Sequence, residues 1–255
     1  MINNKLPLYV NIFLGFILYY SSHSIAYEYD GFAISTSRVI FSELPKDKVK
    51  SVEVWNDTDE SYLLHSSIKS ANGATGYPLD KKINNTDKSF FTITPPLSRV
   101  EKRGRLPLRI ILSDTAIATL PKNEESIFFL SVQAIPSMKE SGNSLNISLI
   151  SNIKVFYRPS SIKTRIEDAM NDVDISLGNN CINFKNKTPL YLTFYNISVN
   201  NINVNNNDLD TMLSPSGNHC YRIPNEINKL NTKFKVSWSF IDEDGLPTKT
   251  KDIEV

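Results

Sequence analysis

Two cysteines, Cys181 and Cys220, and three histidines, His23, His65 and His219, are the chain's entire stock of thiols and imidazoles. Zinc sites are built from ligand pairs at short spacing; His219 adjoins Cys220, but no further ligand pair stands with them. A serine hydrolase needs a nucleophile on a strained turn with a base beside it, and no Gly-x-Ser-x-Gly occurs. The glycine patterns that cradle phosphates or dinucleotides are missing too. His65, within Tyr62-Leu63-Leu64-His65-Ser66-Ser67-Ile68, reads as a polar-face residue of a strand. The sequence therefore points away from an enzyme and implies no metal and no cofactor. Hydrogen bonds, ion pairs and one oxidisable cysteine pair remain.

Whether those cysteines pair depends on compartment. After Lys5, an apolar run from Leu6 to Tyr20 leads through Ser21-Ser22-His23 into Ser24-Ile25-Ala26. Small residues at the first and third positions of that triplet match a secretory cleavage site, and the run is short for a membrane span. Residues 1–26 thus read as a signal peptide cleaved near Ala26. In an oxidising compartment Cys181 and Cys220 are expected to form one disulfide, closing a loop of about 40 residues.

The elements that position these residues are strands. Of 255 residues, 40% are hydrophobic and 22% charged, which excludes a disordered chain, a collagen-like repeat or a polytopic membrane protein. Lys plus Arg (28) nearly equals Asp plus Glu (27), so no bulk field recruits nucleic acid or an anionic membrane. Removing residues 1–26 takes away Lys5 and no acid, which leaves the chain formally neutral. Apolar residues recur with period two in short runs: Val49 to Trp55, Phe90 to Ile93, Leu108 to Leu112, Ile127 to Val132, Leu145 to Tyr157, Leu190 to Tyr195 and Phe234 to Ile241. Such runs, broken by Asn, Asp, Ser, Gly and Pro, predict antiparallel sandwiches. A single helical turn is expected around Asp114 to Ala118. Pro159 ends strand pairing because it lacks an N–H. The reading is an all-β protein with two Ig-like sandwich domains, 27–159 and 160–255. The tract Asn200 to Asn207 reads as a solvated loop. Asn-x-Ser/Thr triplets begin at Asn56, Asn84, Asn146, Asn186 and Asn196 and are ascribed to asparagine abundance.

Three stretches of the first domain are unusual together: Ser35-Thr36-Ser37-Arg38-Val39-Ile40-Phe41, Thr94-Pro95-Pro96-Leu97-Ser98-Arg99-Val100, and Leu120-Pro121-Lys122-Asn123-Glu124-Glu125-Ser126-Ile127-Phe128 continuing to Lys154-Val155-Phe156-Tyr157-Arg158-Pro159. In combination this set resembles the PapD-like periplasmic chaperones of fimbrial, chaperone–usher assembly over residues 32 to 165. The likeness is weaker afterwards, in Phe184 to Thr193, Met212-Leu213-Ser214-Pro215 and Asp242-Glu243-Asp244-Gly245. The short connection after Pro136, running to Asn143, resembles the short-loop subgroup.

The resemblance implies two Ig-like domains arranged as an L, with a cleft between them, in a soluble protein of the periplasm. It implies as partners pilin subunits with incomplete Ig folds and an outer-membrane usher, with no nucleic acid and no small-molecule substrate. It leaves open whether the free protein self-associates to cover its apolar strand. Leu145, Ile147 and Leu149 match the donor-strand residues that fill a subunit's groove, a mode in which main-chain hydrogen bonds supply affinity and alternate side chains fill pockets. Arg38 and Lys154 match the cleft cations that hold the subunit's C-terminal carboxylate. Glu125 and Arg158 match two members of an interdomain ion network, and Glu243 is the expected third, in a stretch where the family more often has Asn-Asp. The segment 100–107, with its extra cations and Pro107, reads as a solvated hairpin loop. From the residues alone, an Ig-like structural or adhesive component of a surface fibre is the alternative.

Overall fold

The computed structural model describes residues 31–72, 77–79, 90–136, 147–227 and 233–255. The export segment 1–26, donor-strand residue Leu145 and the connection after Pro136 lie outside these residues.

The first half forms β1 (Phe32–Ile34), β2 (Arg38–Phe41), β3 (Val49–Asn56), β4 (Tyr62–Ser70), β5 (Phe91–Thr94), β6 (Leu97–Val100), β7 (Arg105–Leu112), β8 (Ser126–Pro136) and β9 (Leu149–Tyr157). One sheet runs β1-β3-β7-β5 and the other β2-β9-β8-β4-β6. Their apolar faces enclose a core in which Leu108, Ile110, Leu130, Val155 and Tyr157 are fully buried. Phe91 packs edge-on against both Phe41 and Phe128, each at 5.2 Å between ring centroids. The expected helical turn is α1 (Asp114–Thr119), started by the Ser113 side chain accepting from the Ala116 N–H.

The second half contributes α2 (Ile166–Ala169), β10 (Val173–Leu177), β11 (Cys181–Asn186), β12 (Phe194–Val199), β13 (Ile202–Asn203), α3 (Asn206–Leu209), β14 (Asn218–Arg222), β15 (Lys235–Phe240) and β16 (Lys251–Glu254). Its sheets run β10-β11-β14 and β13-β12-β15-β16. Between them lies a separate core dominated by Phe184, Phe194, Tyr221, Trp238 and Phe240. The fold is all-β with two sandwiches. The Asn200 to Asn207 tract is less a loop than expected, since it contains β13 and leads into α3, with Val204 buried.

Both sandwiches use the same corner. Asn56 ends β3 and Asn186 ends β11, and each is fully buried. The Asn56 amide donates to the Glu60 and Glu101 carbonyls while its oxygen accepts from Thr58. The Asn186 amide donates to the Leu190 and Ser214 carbonyls, and its oxygen accepts from Thr188. These two Asn-x-Thr triplets are internal corner pieces that satisfy buried backbone groups. Asparagine abundance does not account for them.

Cys181 and Cys220 form a disulfide that ties β11 to β14, with Cα atoms 5.5 Å apart. Serine at both positions is expected to cost about 2–4 kcal/mol by loosening the unfolded chain's closed loop. Urea unfolding followed through Trp238, buried in the second core, measures this; an unchanged midpoint would mean the crosslink contributes nothing.

Candidate functional site

The end of β9 pairs in parallel with β2, and the register sets Arg38 opposite Lys154. Facing residues on adjacent strands project to the same side, so a guanidinium and an ammonium lie together on the face turned away from the first core. Arg38 is only 5% exposed and Lys154 is half-buried. Its guanidinium lies over the Phe156 ring, 5.7 Å from the centroid. Phe156, Ile127 and Phe129 of the first sandwich form a third apolar cluster with Met212 of the second, against which Tyr191 and Ala71 pack. This explains the nearly continuous apolar run of β8, which is buried on both faces.

Polar partners for the two cations come from the second sandwich. Arg38 Nη1 donates to the Ile241 carbonyl at 2.9 Å, and Lys154 Nζ to Thr193 Oγ1 at 3.4 Å. Arg38 Nε is buried with no hydrogen-bond partner among the described residues. Burial pulls the Lys154 ammonium down to about 8, Arg38 pushes the same way, and Asp210 opposes both. Two adjacent cations with donors to spare have the chemistry to bind a small anion such as a carboxylate.

Beyond the cations β9 is open. Its odd residues Ile153, Val155 and Tyr157 enter the core, and the same face continues past it in Leu149, 50% exposed, and Ile147, 63% exposed. Because β2 pairs only from Arg38 onward, no strand among the described residues covers the outer edge from Leu149 to Ile153. Unpaired N–H and C=O groups beside exposed apolar side chains are a template for strand addition. A shallow groove lined by Phe32, Ile34, Val54, Val132, Ala134 and Leu149 opens next to it.

Arg158, the residue after β9, joins the two sandwiches. Its Nε donates to Glu125 Oε1 at 2.5 Å and its Nη1 to Glu243 Oε1 at 2.8 Å. Glu125 Oε2 accepts from the Tyr191 N–H at 2.7 Å, and Glu243 Oε1 also accepts from the Ile166 N–H at 3.0 Å. Burial pushes the Glu125 carboxyl up, against the pull of Arg158 and Tyr191. For Glu243 burial also opposes ionisation, but the Arg158 and Ile166 hydrogen bonds outweigh it and hold the carboxyl below its usual range. A further tie runs from Glu43, which accepts from the Ser160 N–H and hydroxyl.

Sequence reasoning missed Thr193, the Ile241 carbonyl and Asp210. A threonine beside a strand and a backbone oxygen carry no signal in a sequence. It also missed the outer face of the five-stranded sheet, where Leu63, Leu97, Ile135 and Ile150 are all exposed. The basic hairpin is ion-paired as well as solvated: Arg103 meets Asp59 at 3.1 Å, and Arg105 meets Asp57 at 2.7 Å while covering Trp55.

Glu243→Gln is expected to cost on the order of 2 kcal/mol at neutral pH through weakened bonds to Arg158 and Ile166. A carboxyl held low in the folded state contributes stability above its unfolded value of about 4.3, and that contribution fades as pH falls through the folded value. Urea midpoints across the acid range should therefore drop less steeply for Glu243→Gln than for the parent. Parallel curves would show that the carboxylate adds no stability.

Comparison with known proteins accords with this geometry. Residues 31–163 match the family described as pili and flagellar-assembly chaperone, PapD N-terminal domain, and residues 168–251 match pili assembly chaperone PapD, C-terminal domain. The chaperone protein FocC of Escherichia coli is 33% identical over 203 residues, spanning 78% of this chain and 81% of that protein. The crystal structure of the periplasmic chaperone SfaE superposes with a TM-score of 0.64 at 26% identity, covering 87% of this chain and 98% of that one. The fold is shared with a structure of Salmonella enterica SafA pilin in complex with the SafB chaperone, at a TM-score of 0.71 and 21% identity over 90% of this chain and 99% of that one. With both halves matched in order, the chain belongs to the PapD family of periplasmic pilus-assembly chaperones.

Proposed function

We propose that this chaperone captures unfinished fimbrial subunits by lending them β9. A subunit lacking its last strand pairs with the open edge of Leu149–Ile153, and Ile147 and Leu149, with Leu145 before them, fill its groove. The subunit's C-terminal carboxylate is held between Arg38 and Lys154, in charge-assisted hydrogen bonds of roughly 1.5–3 kcal/mol each. That anchor fixes register, because a one-residue slip turns every apolar side chain to the wrong face. Glu125, Arg158 and Glu243 hold the second sandwich where it can complete the cleft. The observation that carries this reading is a buried arginine beside a half-buried lysine at the foot of an apolar strand edge left open by the described residues.

The same reading makes residues 1–26 a cleaved signal peptide for export to the periplasm and 27–159 and 160–255 the two working domains. Subunits pass from this chaperone to an outer-membrane usher.

Arg38→Ala and Lys154→Ala should each abolish stable subunit complexes in periplasmic pull-downs while the chaperone stays folded. Normal subunit recovery with the double variant would remove the anchor. A lysine held at about 8 loses charge above that pH, so subunit affinity should fall about fivefold from pH 8 to pH 9. The free protein should instead gain stability over the alkaline range. The cost of burying the ammonium applies below the folded value and disappears as pH rises toward the unfolded value of about 10.4. Lys154→Met should accordingly stabilise the free chaperone at neutral pH and abolish capture, as thermal melts and pull-downs would show.

A further inference from the structure

We infer that Thr193 and the turn 241–246 of the second sandwich are positioning elements that present Arg38 and Lys154 to a carboxylate, an assignment that rests on the anchor reading above. Thr193 stands just before β12 and Ile241 just after β15, and the Ile241 N–H donates to the Thr193 carbonyl at 2.9 Å. The two residues form one bracket across neighbouring strands. The Ile241 carbonyl takes Arg38 Nη1, and the Thr193 hydroxyl, in a side chain only 4% exposed, takes Lys154 Nζ. Each cation thus spends one donor on the bracket. With Nη1 fixed and Phe156 beneath the guanidinium, Arg38 cannot rotate freely, and its remaining donors keep a constant direction. Lys154 keeps two of its three donors. The charged groups facing it are Arg38, from β2, and Asp210, after α3.

The turn is itself held rigid. Asp242 Oδ1 accepts from the Asp244 and Leu246 N–H groups at 3.0 and 2.8 Å, and Glu243 within the turn binds Arg158. Gly245 has φ +85, and a Cβ there would lie 2.7 Å from Ser37 Oγ. Ser37 precedes Arg38, and its carbonyl accepts the Lys154 N–H at 3.3 Å. A side chain at Gly245 therefore strains the turn through its positive φ and crowds the Ser37 hydroxyl beside the strand that carries the anchor.

The test measures fluorescence anisotropy of a labelled peptide of alternating valine and threonine, once with a free C-terminal carboxylate and once amidated. The full-length exported protein is used, and near-UV circular dichroism checks folding. The parent should prefer the carboxylate form, and Arg38→Ala should erase that preference. Thr193→Val and Gly245→Ala should each cut it roughly tenfold while leaving the amide form's affinity unchanged, and Thr193→Ser should keep it. A Thr193→Val protein as selective as the parent overturns the assignment. A parent indifferent to the carboxylate overturns the anchor itself and the bracket with it. Should Gly245→Ala fail to fold, the valine and serine variants of Thr193 decide.

Discussion

Two positive side chains cannot be buried side by side unless something answers their charge. The pairing of β2 with β9 imposes this problem by setting Arg38 against Lys154, and much of the surrounding structure responds to it. The second sandwich supplies a carbonyl, a hydroxyl and the charge of Asp210, while Glu125, Asp242 and Glu243 favour the charged form of Arg38. The first sandwich alone would bring the cations together and answer them with Glu125 only among these groups. The setting of the two cations is thus a property of both sandwiches, which the bonds of Arg158 to Glu125 and Glu243 tie together.

Strand β9 carries several tasks in nine residues. Its first part is left unpaired on one edge by the described residues, Lys154 reaches Thr193 of the second sandwich, Phe156 packs toward that sandwich, Tyr157 fills the first core, and Arg158 follows at once. Period two makes this possible, because alternate residues serve opposite faces. Function and stability oppose each other here. An open edge and an ammonium pulled down by burial are both costs that a stability-optimised sandwich would remove.

The fold was legible because alternation is a local signal. The runs around Leu108, Ile127 and Leu190 correspond to β7, β8 and the approach to β12, and the turn expected around Asp114 to Ala118 corresponds to α1. The positions of Arg38, Lys154, Glu125 and Arg158 were readable only through their motifs, since a charged residue on a strand is ordinarily solvated. What stayed hidden was relational. Nothing local says that the chain leaves one sheet after Ile34 and enters the other at Arg38, which is what creates both the parallel pairing and the open edge. The resemblance pointed to Glu243 as the partner of Arg158, but only the turn's geometry shows that Asp242 caps the turn beside it. The Thr193 hydroxyl and the Ile241 carbonyl matter only once the two sandwiches meet.

The repeated asparagine corner has a practical side. Asn56 and Asn186 are buried to the last atom and spend both amide hydrogens on carbonyls, yet each opens a triplet that a eukaryotic secretory pathway treats as an acceptor for a bulky sugar chain. A sugar attached to either nitrogen would remove one of those hydrogens and demand space at a closed corner. The choice of expression host thereby becomes a structural matter, because passage through such a pathway would block the same joint in both sandwiches before either could shut.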